Sequence, residues 1–112
     1  MSTRRGEIWL VDFGEPIGRE QSGRRPALVI SADALNQSAA GVVIVVPMTT
    51  AHRGLPSHVE IDPNRSGIDE ISYAKCEDVK SIAEQRLIAR LGAVDEEILD
   101  VVGRALSFLL DL

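Results

Sequence analysis

Cysteine, histidine and aromatic residues are all scarce in this sequence of 112 residues. A single cysteine, Cys76, excludes an internal disulfide and a metal site built from several thiolates. Two histidines, His52 and His58, leave little for a zinc site, so we expect a domain without a metal ion or other cofactor. Phe, Trp and Tyr make up 4% of the chain. We therefore expect Trp9 to lie in the core or at an interface rather than to stack on bases.

Long hydrophobic runs are also absent. The longest apolar run spans seven residues, Val42 to Met48, whereas a membrane-spanning helix needs about 18 or more. The first residues, 1–7, contain no apolar stretch like that of a signal peptide. We therefore expect a cytoplasmic protein with no membrane partner. With 45% hydrophobic and 26% charged residues, residues 1–112 have the composition of a single globular domain.

Positive charge is in deficit, because the net charge is −5. Such a balance by itself argues against a nucleic-acid partner. The charge is uneven, however: residues 1–58 carry a net +1 and residues 59–112 a net −6. Three arginines, Arg19, Arg24 and Arg25, lie within seven positions of one another. The distribution therefore leaves room for a local cationic site on an acidic body.

Short, β-branched apolar runs separated by turn residues predict a mainly β domain. Apolar residues on both faces of residues 6–14 predict a strand that is covered on both sides. Further strands are predicted at 26–31, 41–48, 57–62, 72–76, 79–82 and 86–93, with one or two helical turns within 32–39. Asp95 is a good N-cap for a C-terminal amphipathic helix. The pattern indicates an α+β fold built as a small twisted barrel or half-barrel.

The segment between the first two strands, Glu15 to Arg24, is a ten-residue loop, and loops of this length are often functional. Arg25 lies where this loop meets the next strand, and Pro26 fixes the backbone directly after it. A guanidinium held there is suited to bind a phosphate through two parallel hydrogen bonds. The alternative is an exposed loop whose arginines pair with Glu15 or Glu20, and the loop residues alone favour that alternative.

Two hydroxyl groups, those of Thr49 and Thr50, follow the valine-rich strand. They can donate hydrogen bonds to a phosphate oxygen, or they can cap a turn. Capping is the commoner use of such residues, and this motif alone does not decide between the two.

A third polar motif is Glu77-Asp78-Val79-Lys80-Ser81, between two predicted strands. Its carboxylates can accept hydrogen bonds from base amino groups, whereas the lysine and serine suit phosphate or sugar. The alternative is a solvated hairpin turn, where Asp is common.

His58 is a candidate acid or base near neutral pH, although a histidine in a strand is more often structural. His52 has no evident partner, and we expect Cys76 to be buried and inert.

Taken in order, these motifs resemble those of the MazF/PemK family of toxin endoribonucleases. The resemblance begins with Arg5-Gly6-Glu7-Ile8-Trp9-Leu10-Val11-Asp12-Phe13 and continues with Gly18-Arg19-Glu20-Gln21 and Arg25-Pro26-Ala27-Leu28-Val29-Ile30-Ser31. Val46-Pro47-Met48-Thr49-Thr50 and Val79-Lys80-Ser81-Ile82 complete it. It covers nearly the whole chain. One departure is Arg19, which stands where the family usually has a serine.

The resemblance implies a mainly β, SH3-like small barrel of the MazF/PemK/CcdB type, with short helices and a C-terminal helix. It also implies a homodimer whose RNA groove crosses the subunit interface, and a MazE-like antitoxin whose acidic tail covers that groove. The activity it implies is metal-independent cleavage of single-stranded mRNA at short sequences, leaving a 2′,3′-cyclic phosphate and a 5′-hydroxyl.

The same resemblance assigns the site residues. Arg25 would stabilise the charged phosphorane and Thr49 would bind the scissile phosphate, while Glu20 is a candidate general base and His58 a second one. The residues expected to bind RNA are Arg19, Gln21, Thr50, His58, Glu77, Asp78, Lys80 and Ser81.

Three other functions stay open at this point. One is a non-catalytic family member that only binds RNA or antitoxin. A second is a CcdB-like toxin that binds a protein target such as gyrase, although those toxins lack the arginine-proline and double-threonine pattern. The third is a plain structural SH3-like domain, for which the long polar loop has no use.

Overall fold

The computed structural model describes residues 2–15, 18 and 23–112 of the chain. In this part the strands are β1 (Glu7–Asp12), β2 (Arg24–Val29), β3 (Val42–Thr49), β4 (His58–Ile61), β5 (Ser72–Lys75), β6 (Lys80–Ala83) and β7 (Leu87–Ala93). The helices are α1 (Asp33–Asn36), α2 (Pro63–Ser66) and α3 (Glu96–Leu110), and there are two 3₁₀ turns, Cys76–Asp78 and Glu84–Arg86. The predicted strands, the helical turn of α1 and the C-terminal helix are confirmed in order, whereas α2 and the two 3₁₀ turns were not predicted as elements.

The strands form one antiparallel sheet with the order β4-β5-β3-β2-β1-β7, and β6 also pairs with β3. The longest strand, β3, takes part in three ladders. Its residues 42–45 pair with β6, residues 45–47 pair with β2, and residues 48–49 pair with β5. In the described residues no ladder joins β4 to β7, so the barrel that the sheet forms is open.

Both faces of the sheet are buried, as the apolar pattern of β1 predicts. On one face Ile8 and Leu28 pack with Val102 of α3. On the other face Trp9 and Val11 belong to a second core without α3. Each fully buried aliphatic or aromatic side chain contributes about 1.5–3 kcal/mol to folding. Trp9 is 3% exposed, so of its two predicted positions the structure shows the core.

Helix α3 begins where the sequence predicts. The side chain of Asp95 accepts a hydrogen bond from the backbone N–H of Ile98 at 3.2 Å, which is the N-cap geometry. Asp95 also binds the guanidinium of Arg65, at the end of α2. Within the described residues, no helix has the length and apolar character that crossing a membrane requires.

Strand β2 begins two residues before its predicted start. Arg24 and Arg25 lie opposite Asp12 and Val11 in the ladder with β1. Backbone pairing with β1, rather than the hydrophobicity of these residues, therefore sets the start of the strand. As a result, Arg25 is held on the sheet and not on the preceding loop.

Candidate functional site

Arg25 and Thr49 line the same small pocket, which has a volume of about 80 Å³. Its other lining residues are Pro26, Met48, Thr50 and Ser72. Strands β2 and β3 pair from Val29 with Val45 to Ala27 with Pro47. Arg25 and Thr49 each lie two positions beyond this last pair, at the same end of the two strands. Arg25 and Thr50 are exposed and Thr49 is half-buried, so a ligand can reach all three side chains.

The hydroxyl of Thr49 is oriented by the turn that follows β3. Its Oγ1 accepts a hydrogen bond from the backbone N–H of Ala51 at 3.2 Å. Because the hydroxyl accepts this bond, its own proton stays available for donation to a ligand oxygen. Thr49 thus caps the turn and also offers a donor, so the two uses weighed for it from sequence are compatible.

One face of the sheet, the one opposite α3, carries two of the predicted site residues, Thr49 and Lys80. Side chains alternate along a strand, so Thr49 shares its face with Val45 and Pro47. Lys80 lies opposite Val45 and is therefore on this face too, with its Nζ 5.6 Å from the centroid of the Phe13 ring. Thr49 is four positions beyond Val45 on β3, a distance of about 13 Å along the strand. Lys80 therefore lies near one end of this stretch of β3, at Val45, and Arg25 lies near the other end, at Thr49.

Ser81 lies on the opposite side of β6. It pairs with Ile44, whose neighbours on the same side of β3 are Val46 and Met48. The structure therefore does not bring Ser81 together with Lys80 and Thr49. Three further predicted residues, Arg19, Glu20 and Gln21, lie outside the described residues.

Glu77 is bound at both carboxylate oxygens. Its Oε2 lies 2.9 Å from Nε2 of His58, and its Oε1 accepts a hydrogen bond of 2.9 Å from the Ser57 hydroxyl. The His58 side chain is 3% exposed and that of Glu77 is 37% exposed. Burial by itself raises the pKa of Glu77, but hydrogen bonds from His58, its own backbone and Ser57 bring that pKa below its ordinary value. In this arrangement the buried imidazole of His58 holds the more exposed carboxylate of Glu77 through a hydrogen bond.

Asp78, the next residue, forms an ion pair of 2.9 Å with Lys75 of β5. Cys76, which directly precedes Glu77, is fully buried, as predicted. Burial, with a smaller effect of the Glu77 charge, raises the pKa of this thiol to about 11. The thiolate, which is the nucleophilic form, is therefore rare at neutral pH.

Sequence reasoning missed a ring pair next to Thr49. Tyr73 of β5 lies directly opposite Thr49 in the ladder between β3 and β5. The ring of His52 stacks on that of Tyr73, with centroids 5.1 Å apart and an interplanar angle of 12°. No local pattern reveals this pair, because it depends on the register of two strands that are distant in the sequence.

Comparison with known proteins points to one family throughout. The model of the family described as "PemK-like, MazF-like toxin of type II toxin-antitoxin system" matches residues 4–110. Endoribonuclease EndoA of Bacillus subtilis is 35% identical over 113 residues, covering 100% of this chain and 97% of that protein. Endoribonuclease MazF9 of Mycobacterium tuberculosis is 37% identical over 114 residues, covering 97% of both chains.

Solved structures agree with the sequence relatives. MazF from Deinococcus radiodurans has a TM-score of 0.86 and 26% identity, with coverage of 100% of this chain and 99% of that one. A MazE–MazF structure from the same organism has a TM-score of 0.82 and 26% identity, with coverage of 100% and 98%.

Proposed function

The chain belongs to the family of PemK-like, MazF-like toxins of type II toxin–antitoxin systems, and on that premise we propose that it is a sequence-specific endoribonuclease acting on single-stranded mRNA. The observation that carries this proposal is the shared pocket of Arg25 and Thr49. A fixed cation and a hydroxyl donor side by side are suited to a phosphate whose negative charge grows during reaction.

The proposed reaction is transesterification. The 2′-oxygen attacks the adjacent phosphorus, the new P–O2′ bond forms, and the P–O5′ bond breaks to leave a 2′,3′-cyclic phosphate and a 5′-hydroxyl. One proton leaves the 2′-oxygen and one is added to the 5′-oxygen, so acid and base catalysis are both useful. The phosphorane between these states carries the extra negative charge that the pocket stabilises.

Arg25 and Thr49 have different roles in this scheme. A guanidinium keeps its positive charge in proteins, so Arg25 stabilises the phosphorane rather than taking a proton. Thr49 donates its hydroxyl proton to a non-bridging oxygen and so orients the phosphate. The charge of Arg25 supplies what a bound cation supplies in other nucleases, which supports a reaction that needs no metal ion.

Glu20 is the proposed general base. The other candidate, His58, is 3% exposed and has its Nε2 at Glu77, which favours Glu20 for direct contact with the 2′-hydroxyl. The proposed RNA contacts are Arg19, Gln21, Thr50, Glu77, Asp78 and Lys80, and His58 takes part through Glu77. Ser81 is not among them, because it lies on the opposite side of β6 from Lys80.

The proposed protein partners are a MazE-like antitoxin and a second copy of this chain. The MazE–MazF structures from Deinococcus radiodurans support the antitoxin. The second copy is supported by an apolar groove of about 570 Å³ between α3 and the loop at Leu55. Phe108 at this groove is 83% exposed, which is costly for a side chain of its size unless a partner covers it.

The test is incubation of the purified chain with a long mRNA in EDTA, followed by mapping of the RNA 5′ ends. We expect discrete cuts at one short sequence, which Arg25→Ala lowers by 100-fold or more because a main stabiliser of transition-state charge is lost. Arg25→Lys keeps the charge but not the planar fork, so we expect an intermediate loss. Thermal melting must show that each variant is folded.

A variant series at Thr49 separates the hydroxyl from the shape of the side chain. Thr49→Ser keeps the donor and Thr49→Val keeps the volume, so cleavage should survive the first change and fall with the second. Absence of cuts by the folded wild-type chain in EDTA and in Mg²⁺ would overturn the proposal, and gyrase inhibition would then be measured.

A further inference from the structure

The stacked rings of His52 and Tyr73 lie immediately beside the phosphate pocket. Thr49, which lines the pocket, is the ladder partner of Tyr73. Side chains of paired residues in an antiparallel ladder have Cβ atoms about 5 Å apart. The ring pair is therefore about one side-chain spacing away from Thr49 at the pocket.

The turn after β3 fixes the position of His52. The hydrogen bond from the Ala51 N–H to Thr49 Oγ1 forms a tight turn directly before His52. This turn brings the imidazole back over Tyr73, where the two rings are nearly parallel at 12°. The hydroxyl of Thr49, which is the proposed phosphate donor, thus also helps to position the ring next to it.

One side of the imidazole is left open. His52 is exposed although Tyr73 covers one of its faces, and Tyr73 itself is half-buried. Among the described residues, this is the one stacked ring pair. A flat ring supported from behind and open in front is the arrangement on which unstacked bases lie in single-stranded nucleic-acid sites.

We propose that His52, supported by Tyr73, is a stacking platform for the nucleobase next to the phosphate in the Arg25–Thr49 pocket. This inference rests on the proposed function. A base is one sugar away from its phosphate, a separation comparable with the spacing between Thr49 and Tyr73. The platform binds one base and holds the chain of the RNA in line with the pocket.

Stacking reads the flat face that every base has and not its hydrogen-bonding edge. The platform therefore adds affinity for many sequences and does not select one of them. Loss of the ring should raise Kd by about 5- to 150-fold for cognate and non-cognate RNA alike, and the cut sequence should stay the same.

The test measures binding to an RNA that cannot be cleaved. The 5′-end map supplies the cut site, and an oligonucleotide with a 2′-deoxy nucleotide at that site cannot cyclise. 2-Aminopurine is placed in turn at each position flanking the cut, because its fluorescence falls when it stacks. We expect quenching at one of these positions with the wild-type chain, together with a Kd from titration.

The variants distinguish a flat ring from apolar bulk. His52→Ala and His52→Leu should weaken binding and abolish the quenching, whereas His52→Phe should recover both. Tyr73→Leu, which removes the supporting ring, should give an independent loss. Equal affinity and equal quenching in the wild type and His52→Ala would overturn the platform alone. Absence of any RNA binding by the folded wild-type chain would overturn the proposed function, and the platform with it.

Discussion

His58 and Glu77 are 19 positions apart in the sequence, yet Nε2 of the first lies 2.9 Å from Oε2 of the second. The Ser57 hydroxyl binds the other oxygen. The first residue of β4 and the residue before it thus hold the 3₁₀ turn Cys76–Asp78 in place. The consequence is a carboxylate of fixed direction at the surface, supported by an almost fully buried imidazole.

This arrangement makes the contribution of Glu77 to stability depend on pH. The pKa of Glu77 is below its ordinary value of 4.5, so the folded protein binds this proton less readily than the unfolded chain does. The stabilisation is therefore fully present above about pH 4.5 and is lost as the pH falls through the lower pKa of the folded state. We expect wild type to exceed Glu77→Gln in free energy of unfolding at pH 7, with the gap closing in acid.

Urea unfolding from pH 7 to pH 3 measures this gap. Ser57→Ala removes one of the hydrogen bonds and should produce a smaller change of the same sign. A gap between wild type and Glu77→Gln that stays constant over the whole range would contradict the expectation.

Asp78 should govern which RNA sequence is cut. Its carboxylate is half-buried in the same turn and is held by Lys75, so it is a fixed acceptor for a base amino group. We expect Asp78→Ala to change the profile of cut sites more than it lowers the rate at the best site, as read from RNA 5′ ends. Asp78→Asn, which adds donors in the same shape, should change the profile differently. An unchanged profile with a uniformly slower rate would show that Asp78 contributes to binding alone.

Two glycines should respond oppositely to replacement by alanine. A Cβ at Gly92 of β7 would lie 2.1 Å from the carbonyl oxygen of Ser66, so α2 would have to move away from the strand. We expect Gly92→Ala to cost about 2 kcal/mol or more. Gly103 lies within α3 with no atom within 4 Å of the added Cβ, so Gly103→Ala should stabilise by about 0.5–1 kcal/mol. Denaturant unfolding of both variants checks the sign, and a loss of stability in both would be inconsistent with it.

The groove at the end of α3 should hold the second copy of the chain. Phe108→Glu places a charge on this apolar surface, and we expect it to convert dimers to monomers in sedimentation velocity. Ile71→Glu is the matched control, because Ile71 is 50% exposed and is not among the groove residues. If the wild-type chain is a dimer and Phe108→Glu leaves it dimeric, the interface lies elsewhere.

Local patterns in the sequence predicted much of this structure. Alternation identified the strands, and an acidic cap identified the start of α3 at Asp95, because both depend on residues close together in the chain. The proximity of Arg25 and Thr49 followed from the family resemblance, not from either motif alone.

The cross-strand relationships were beyond sequence reasoning. The pairing of Glu77 with His58 and the stacking of His52 on Tyr73 depend on which strands pair and in which register. The start of β2 at Arg24 has the same origin, since Asp12 of the neighbouring strand provides its pairing partner.

Strand β3 joins three neighbouring strands and ends at Thr49. Loosening β3 along its length requires the ladders to β2, β5 and β6 to open together. Its backbone amide hydrogens should therefore exchange with solvent mainly through global unfolding, and they should be the slowest in the molecule to exchange. Thr49 at the end of this strand is held by the ladder to β5 alone, so the reaction geometry should loosen before the centre of β3 does.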